Sequence, residues 1–246
     1  MSIKSKNKIR LFVNAVLEPS SRITLPEEAS HYLCNVMRLG AGEVIACFNN
    51  AAGEFDCRIE KAHKKQTEVL VLQQNRKYIP VPDIWVLFAP VKKDKTDFIV
   101  EKSVELGCRL LQPVITERTV VDKIRGERYQ AQAVEAAEQC RRVDLPEIAP
   151  AAPLAEILAH WDCGRTLFFM DETGTGISAV RAFDERKGCP AALLVGPEGG
   201  FSPSELELLR SLPYARAVSL GPRILRAETA VAAALSVWQS VAGDWQ

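Results

Sequence analysis

The chain has 246 residues, a net charge of zero and a hydrophobic content of 47%, so it is long enough for one large domain or two smaller ones with a buried core. The sequence has no run of about 18 apolar residues and no apolar stretch behind its N-terminal charges, which excludes a membrane-spanning helix, argues against a secretory signal and predicts a cytoplasmic protein. The seven cysteines are odd in number and none are spaced as Cys-x-x-Cys, so we expect neither a disulfide framework nor a metal site.

Residues 1–77 are predicted to form a small β-barrel domain, because short runs of β-forming residues alternate with polar breaks. The predicted strands include Arg10–Val13, Val44–Phe48 and Val69–Leu72. Residues 49–53 are predicted to form a hairpin loop. Pro26, followed by two glutamates, predicts the start of one helix that reaches Met37.

Charge is unevenly divided along the chain. Residues 1–79 hold 12 Lys and Arg against 8 Asp and Glu, and the remainder holds 19 against 23. Four of the basic residues, Lys4, Lys6, Lys8 and Arg10, cluster at the start. A basic half can present positive potential to nucleic acid, although an ordinary solvated surface accounts for the same charges.

A linker with two prolines, Tyr78–Asp83, separates this region from a different pattern in residues 78–246. Strands that are apolar on both faces alternate there with helices, which indicates a parallel α/β sheet. The predicted strands are Ile84–Ala89, Leu110–Ile115, Thr166–Met170, Ala191–Val195 and Ala215–Leu220. The predicted helices are Asp94–Leu106, Glu127–Arg142, Leu154–His160, Pro203–Ser211 and Arg226–Gln239.

Three loops that contain glycine follow the last three predicted strands. They are Asp171–Gly176, Gly196–Ser202 and Gly221–Arg226. Open α/β sheets bind ligands outside the carboxyl ends of their strands, and glycine lets a ligand approach the backbone closely. The chain does not need two Gly-Pro pairs, Gly196-Pro197 and Gly221-Pro222, to change direction after a strand. We therefore predict that these loops form a binding site.

Part of this pattern has a structural explanation. Ser202, Pro203 and Glu205 are typical of a helix start with a capping box, and Gly174 and Gly176 alone would be ordinary turn residues.

The sequence lacks three familiar motifs: the phosphate loop of nucleotide triphosphatases, the dinucleotide-binding glycine motif and the nucleophile elbow of serine hydrolases.

Two segments, Leu194-Val-Gly-Pro-Glu-Gly-Gly-Phe-Ser202 and Leu220-Gly-Pro-Arg-Ile-Leu-Arg-Ala-Glu-Thr-Ala230, together resemble the signature of the RsmE-type 16S rRNA uridine-N3 methyltransferases of the SPOUT superfamily. Ala89–Gly107, Thr116-Glu-Arg-Thr119 and Ala136-Ala-Glu-Gln139 resemble further blocks of that family, and His31-Tyr-Leu with Val36-Met-Arg-Leu-Gly40 resembles its PUA-like RNA-binding barrel. The resemblance covers nearly the whole chain.

The resemblance implies a trefoil knot in the C-terminal domain, S-adenosylmethionine bound by the knot backbone, and a homodimer whose second subunit completes the site. It also implies that 16S rRNA of the small ribosomal subunit is the substrate. The residues expected to contact the cofactor are Val195, Gly196, Gly200, Leu220, Gly221, Ile224, Leu225 and Arg226.

Methylation of uridine N3 requires loss of its proton, and Glu198 and Glu228 are the carboxylates predicted to accept it. Arg226 is expected to stabilise charge on the uracil oxygens or to position a phosphate. Alternatively, Glu228 is a helix-dipole partner, Glu198 only holds its loop, and no side chain acts as a general base.

The RNA is expected to reach this site through contacts of its phosphates with basic side chains, which position the RNA without choosing the base. The predicted contacts are Arg10, Arg22, Arg38, Lys92 and Lys93.

Three other functions remain open on the sequence. The first is a methyltransferase of the same superfamily that acts on another rRNA or tRNA nucleotide. The second is a non-catalytic ribosome-assembly factor that binds RNA, and the third is an α/β enzyme that acts on a small molecule.

Overall fold

The computed structural model describes residues 9–120 and 124–245, so the predicted basic residues Lys4, Lys6 and Lys8 lie outside the described part of the chain. The chain divides into two compact units. The first contains Met1–Pro80 and Ala137–Leu145, and the second contains Val81–Ala136 and Pro146–Gln246. The functional domain boundary that the sequence predicts between residues 77 and 78 stays a prediction.

The first unit is built on a five-stranded sheet with a short helix, as the pattern of strands predicted. Its elements are β1 (Arg10–Phe12), β2 (Arg22–Thr24), α1 (Glu27–His31), a π-helical turn (Tyr32–Val36), β3 (Val44–Asn49), β4 (Gly53–Lys61) and β5 (Glu68–Arg76). The strand order is β1-β3-β4-β5-β2, with β1 parallel to β3 and the other neighbours antiparallel. The predicted helix therefore changes from α to π geometry after His31.

The hairpin between β3 and β4 depends on a glycine. Asn49 lies opposite Gly53, whose φ of 81° belongs to the left-handed region. A Cβ on Gly53 would lie 2.3 Å from the carbonyl oxygen of Arg76, so no other residue fits there without a shift of the neighbouring backbone.

The second unit is a parallel α/β sheet with helices, which confirms the predicted fold class. Its strands are β6 (Ile84–Phe88), β7 (Leu110–Ile115), β8 (Glu147–Ile148), β9 (Ala152–Pro153), β10 (Thr166–Met170), β11 (Ile177–Ser178), β12 (Ala191–Val195) and β13 (Ala215–Ser219). Its helices are α2 (Lys93–Glu105), α3 (Gly126–Cys140), α4 (Leu154–Ala159), α5 (Ala179–Asp184), α6 (Pro203–Ser211) and α7 (Ala227–Val241), with the last residues of α3 belonging to the first unit.

The strand order of this sheet is β11-β13-β10-β12-β6-β7-β8, and all of these pairs are parallel. Its central strands are buried on both faces; every residue of β12 is buried, for example. The consequence for the site is that β13, β10 and β12 are direct neighbours and end at the same edge. Within the described residues, none of the helices has both the length and the apolar character needed to cross a membrane.

Arg10, predicted as a phosphate contact, is a packing residue of the first unit. Its side chain is only 9% exposed and donates to the Glu54 carboxylate at 2.6 Å. The guanidinium also donates to the carbonyl oxygens of Ala137, Glu138 and Arg142 at 2.6 to 2.9 Å. Four of its five N–H groups are thus used inside the protein, so we no longer expect Arg10 to bind RNA.

Replacing Arg10 should therefore cost stability. The Arg10→Met variant leaves the Glu54 carboxylate, which is 10% exposed, without its cation, and we expect a loss of about 3 kcal/mol in the free energy of unfolding. Urea denaturation would measure it. Arg22→Met is the control, because the Arg22–Glu60 ion pair involves an arginine side chain that is 66% exposed, and a solvent-screened pair of this kind contributes little to stability. Equal denaturation midpoints for the two variants would contradict this role of Arg10.

Candidate functional site

The loops that follow β10, β12 and β13 surround one cavity of about 650 Å³ in the second unit. We call residues 171–176 the first loop, residues 196–202 the second loop and residues 220–226 the third loop. A cavity of this volume is in the range of small-molecule and cofactor sites. The cavity therefore lies at the carboxyl edge of the sheet, the same edge at which the sequence predicted a binding site.

All eight residues predicted to contact a cofactor line this cavity. Glu198 lines it as well. Arg226, which is one of the eight, directly precedes the first turn of α7. Glu228 follows in that turn and is not part of the lining. The cavity also contains residues that the sequence did not single out, among them Lys95, Asp171 and Glu172.

The first loop is folded around the fully buried carboxylate of Asp171. Its Oδ1 accepts hydrogen bonds from the backbone N–H and the hydroxyl of Thr173 at 2.9 and 2.7 Å, and its Oδ2 accepts from the Thr175 hydroxyl at 2.8 Å. Arg210 of α6 donates to Oδ2 at 3.0 Å. Burial raises the pKa of Asp171, but the hydrogen bonds from Thr173, Thr175 and Arg210 outweigh it and hold that pKa below its ordinary value.

The glycine that ends the first loop packs against the neighbouring strand. A Cβ on Gly176 would lie 2.7 Å from the backbone carbon of Val218, so this close approach excludes a side chain. Gly176, which the sequence alone would leave as an ordinary turn residue, thus has a packing reason to be glycine.

The second loop is fixed at both ends. At its start, a Cβ on Gly196 would lie 3.1 Å from the ring of Phe201, so the two ends of the loop are in contact. At its other end, the Ser202 hydroxyl accepts from the Glu205 backbone N–H, and the Glu205 carboxylate accepts from the Ser202 backbone N–H at 2.8 Å. This confirms the predicted capping box at the start of α6.

Arg118 holds the middle of the second loop. It lies in the segment after β7, and its Nη1 donates to the carbonyl oxygens of Gly199 at 2.8 Å and Phe201 at 3.3 Å. Gly200, between these two carbonyl groups, has a φ of 68°, a backbone conformation that favours glycine. No local pattern in the sequence predicts this role of Arg118, because its partners are 81 and 83 residues away.

Glu198 forms an ion pair with Lys95 of α2 across the cavity wall. The hydrogen bond from Lys95 is the largest influence on Glu198, and together with the charges of Lys95, Lys92 and Arg226 it lowers the pKa of this carboxyl group. A carboxylate stabilised in this way is a weaker proton acceptor, which favours the alternative that Glu198 holds its loop.

The third loop presents backbone to the cavity. Gly221 has a φ of 111°, and a Cβ placed on it would meet no atom within 4 Å. The glycine here is therefore required by the backbone conformation, and it leaves open space beside the peptide. Ile224 is 81% exposed, although it belongs to the cavity wall.

Glu228 is half-buried in the first turn of α7, and its Oε2 is enclosed without a hydrogen-bond partner among the described residues. The lone pairs of this oxygen are thus not used by the described residues and remain able to accept a hydrogen bond. The position also fits the positive end of the helix dipole.

The remaining predicted RNA contacts are divided between the two units. Arg22 and Arg38 are exposed in the first unit, and Arg38 has a φ of 56°. Lys92 is exposed before α2 in the second unit, whereas the side chain of Lys93 lies outside the described part of the structure. Across residues 9–120 and 124–245, no cluster of three or more His, Cys, Asp or Glu residues could hold a metal ion.

Comparison with known proteins gives two family matches. The family described as "RNA methyltransferase domain" matches residues 77–239, and the family described as "RNA methyltransferase PUA domain" matches residues 25–72. Two curated relatives are called "Ribosomal RNA small subunit methyltransferase E". The one from Rickettsia conorii is 30% identical over 92% of this chain and 93% of its own length, and the one from Bacillus subtilis is 30% identical over 89% and 90%.

Two solved structures are also similar to this chain. A methyltransferase from Legionella pneumophila, in complex with its bound cofactor S-adenosylmethionine, is 31% identical with a TM-score of 0.87 and covers 96% of this chain and 99% of its own. A ribosomal RNA small subunit methyltransferase E from Neisseria gonorrhoeae, bound to S-adenosylmethionine, is 28% identical with a TM-score of 0.89 and covers 97% and 100%.

Loss of Arg118 should loosen the second loop. In Arg118→Met, the Gly199 and Phe201 carbonyl oxygens lose their guanidinium donor, so we expect faster hydrogen–deuterium exchange for amides in residues 196–202. Arg181→Met on α5 is the matched control, since Arg181 is 75% exposed and pairs only within its own helical turn. If the second loop exchanges at the same rate in both variants, Arg118 does not hold it.

The Asp171 carboxylate predicts a pH-dependent stability. Its pKa is lower in the folded protein than in the unfolded chain, so its contribution is complete above the ordinary pKa of about 3.9 and disappears as the pH falls through the folded value. We expect Asp171→Asn to lower the Tm most at neutral pH, with the difference from the parent protein narrowing below about pH 4. Asp184→Asn, at an exposed position, is the control. A Tm difference for Asp171→Asn that is independent of pH would contradict this account.

Proposed function

Because the chain belongs to the RNA methyltransferase family, we propose that it transfers a methyl group from S-adenosylmethionine to N3 of a uridine in the 16S rRNA of the small ribosomal subunit. The observation that carries the proposal is the single cavity enclosed by the three loops of the motif that resembles the RsmE-type enzymes. The names of the relatives support the small-subunit RNA, and the solved structures of two similar proteins support the donor. The uridine and its N3 atom come from the resemblance.

The cavity fits the donor in size and in chemistry. Its volume of about 650 Å³ suits a nucleoside-sized ligand, and the backbone at Gly221 is open to it. We propose that the eight residues predicted from the motif hold the donor, chiefly through the backbone of the second and third loops, while Val195, Leu220 and Leu225 supply apolar wall. When bound, the donor supplies an activated methyl group.

Methylation of N3 also requires that a base accept the N3 proton of the uridine. Glu228 is the carboxylate we favour for this role, because its Oε2 is enclosed and has lone pairs that no described residue uses. Since Glu228 is not part of the cavity wall, the proton would reach it through a water molecule. Glu198 is disfavoured, because its ion pair with Lys95 lowers its pKa.

Arg226 is the cation proposed to act on the substrate. It lines the cavity, is exposed, and adjoins the N-terminal end of α7, where the helix dipole is positive. We propose that it stabilises negative charge on the uracil oxygens as the proton leaves, or that it holds a phosphate of the RNA.

The assembly and location that go with this function remain proposals. We propose a homodimer located in the cytoplasm, and a trefoil knot in the second unit. The homodimer and the knot come from the resemblance to the RsmE-type enzymes.

The test is incubation of the protein and S-adenosylmethionine with small ribosomal subunits from a strain that lacks the activity. We expect one methyl group per subunit, and nuclease digestion with mass mapping should place it on N3 of one uridine. Methylation of another rRNA or tRNA nucleotide would favour the first alternative. Donor binding without methylation of any RNA would favour the assembly factor.

The roles of the side chains can be separated by single-turnover kinetics. We expect Glu228→Gln to reduce the methylation rate by about 100-fold or more, because a general base contributes on that order, while the Kd for the donor changes little. Arg226→Ala should also slow the step, and Glu198→Gln should retain most of the rate. Glu207→Gln, at an exposed position on α6 outside the cavity, is the control. Near-parental rates for Glu228→Gln and Arg226→Ala would show that our assignment of roles is wrong.

The arginines proposed to bind RNA predict a change in salt dependence. We expect the double variant Arg22→Gln/Arg38→Gln to bind the RNA more weakly. The slope of log K against log salt should fall by about 0.7 for each single-strand phosphate that an arginine no longer neutralises. Filter binding over a range of salt concentrations would measure the slope. Arg181→Gln, which removes one exposed charge from α5, should leave it unchanged. An unaltered slope in the double variant would remove both arginines from the interface.

A further inference from the structure

Glu172 is a carboxylate of the cavity wall that neither the motif nor the comparisons assign to any role. It follows Asp171 in the first loop and lines the cavity together with Gly200 of the second loop. A Cβ placed on Gly200 would lie 1.8 Å from Oε1 of Glu172 and 2.6 Å from its carboxyl carbon. The carboxylate of Glu172 thus lies directly beside the backbone of Gly200 on this wall.

The backbone on both sides of Glu172 is held in place. Asp171 is anchored by its buried carboxylate, and Thr173 donates both its backbone N–H and its hydroxyl to that same carboxylate. Arg210 adds hydrogen bonds to Asp171 and to the hydroxyls of Thr173 and Thr175. The loop therefore has internal reasons for its shape that do not involve the side chain of Glu172.

The carboxylate itself takes no part in this network. Among the described residues, none donates a hydrogen bond to Glu172, and its side chain is exposed to the cavity. An ionised carboxylate has two oxygens and about four acceptor positions. They are available to a ligand that brings N–H or O–H groups.

We propose that Glu172 binds the methyl donor by accepting hydrogen bonds from its polar hydrogens. This inference rests on the proposed function. The donor has two groups of suitable chemistry: the adjacent hydroxyls of its ribose, which acidic residues bind in other nucleotide sites, and its α-ammonium group. A negative side chain also complements the positive charge that the donor carries on its sulfonium and ammonium groups.

Isothermal titration calorimetry on the full-length protein tests the proposal with two ligands. S-adenosylmethionine contains both groups, whereas 5′-methylthioadenosine keeps the ribose and lacks the amino-acid part. We expect Glu172→Gln to raise the Kd for S-adenosylmethionine about tenfold or more, as for the loss of a hydrogen bond to a charged group. Equal weakening of both ligands assigns the contact to the ribose, and weakening of S-adenosylmethionine alone assigns it to the ammonium.

The matched control is Glu207→Gln, which removes a carboxylate from an exposed position on α6 outside the cavity and should bind both ligands like the parent protein. Glu172→Ala completes the set, because it removes both acceptor oxygens without adding an amide that could donate to the ligand. Thermal unfolding of each variant should match the parent, since the loop network does not use this side chain.

The result that overturns the proposal is a Kd for S-adenosylmethionine within twofold of the parent value in both Glu172→Gln and Glu172→Ala. If the proposed function itself is wrong, the calorimetry gives another result: the parent protein and Glu207→Gln would also show no binding of S-adenosylmethionine.

Discussion

The parallel pairing of β13, β10 and β12 is the constraint on which the site depends. Leu167 pairs with Ala215 on one side, and Phe168 pairs with Leu193 on the other, so the three strands run side by side in one direction. Their carboxyl ends must then meet at one edge, whatever the spacing of the loops along the chain. The cavity exists because three loops about 20 residues apart in sequence leave the sheet at the same place.

The first two loops keep their shape through hydrogen bonds within the protein. A buried carboxylate, Asp171, and its partner Arg210 organise the first loop, and Arg118 together with the capping box of Ser202 organises the second. These groups hold the backbone of both loops, and glycines such as Gly200 and Gly221 complete the cavity wall. A site arranged in this way is ready for a ligand before it binds.

Side chains of the same type have different roles because their surroundings differ. Arg10 and Arg22 are both basic residues of the first unit, but one is buried against Glu54 and three carbonyl oxygens while the other is mostly exposed. Glu198 and Glu228 both belong to the motif, yet Glu198 forms an ion pair with Lys95, whereas no described residue donates a hydrogen bond to Oε2 of Glu228. Burial and partners therefore separate structural charges from those that remain available for RNA, the donor or the proton.

The sequence by itself predicted the parallel α/β sheet, the five longer strands of that region, its helices except α5, and the three loops that line the cavity, whereas the two-residue strands β8, β9 and β11 were missed. This was possible because apolar runs, glycine–proline turns and the capping box at Ser202 are local patterns with local causes. The tertiary structure alone decided the roles of Arg10, Arg118 and Asp171, and it alone placed Glu172 beside Gly200. Their partners are distant in sequence or belong to another loop, and the π-helical turn after His31 likewise has no local signal in the sequence. Hydrogen bonding and burial depend on which groups the fold brings together, and a linear pattern does not contain that information.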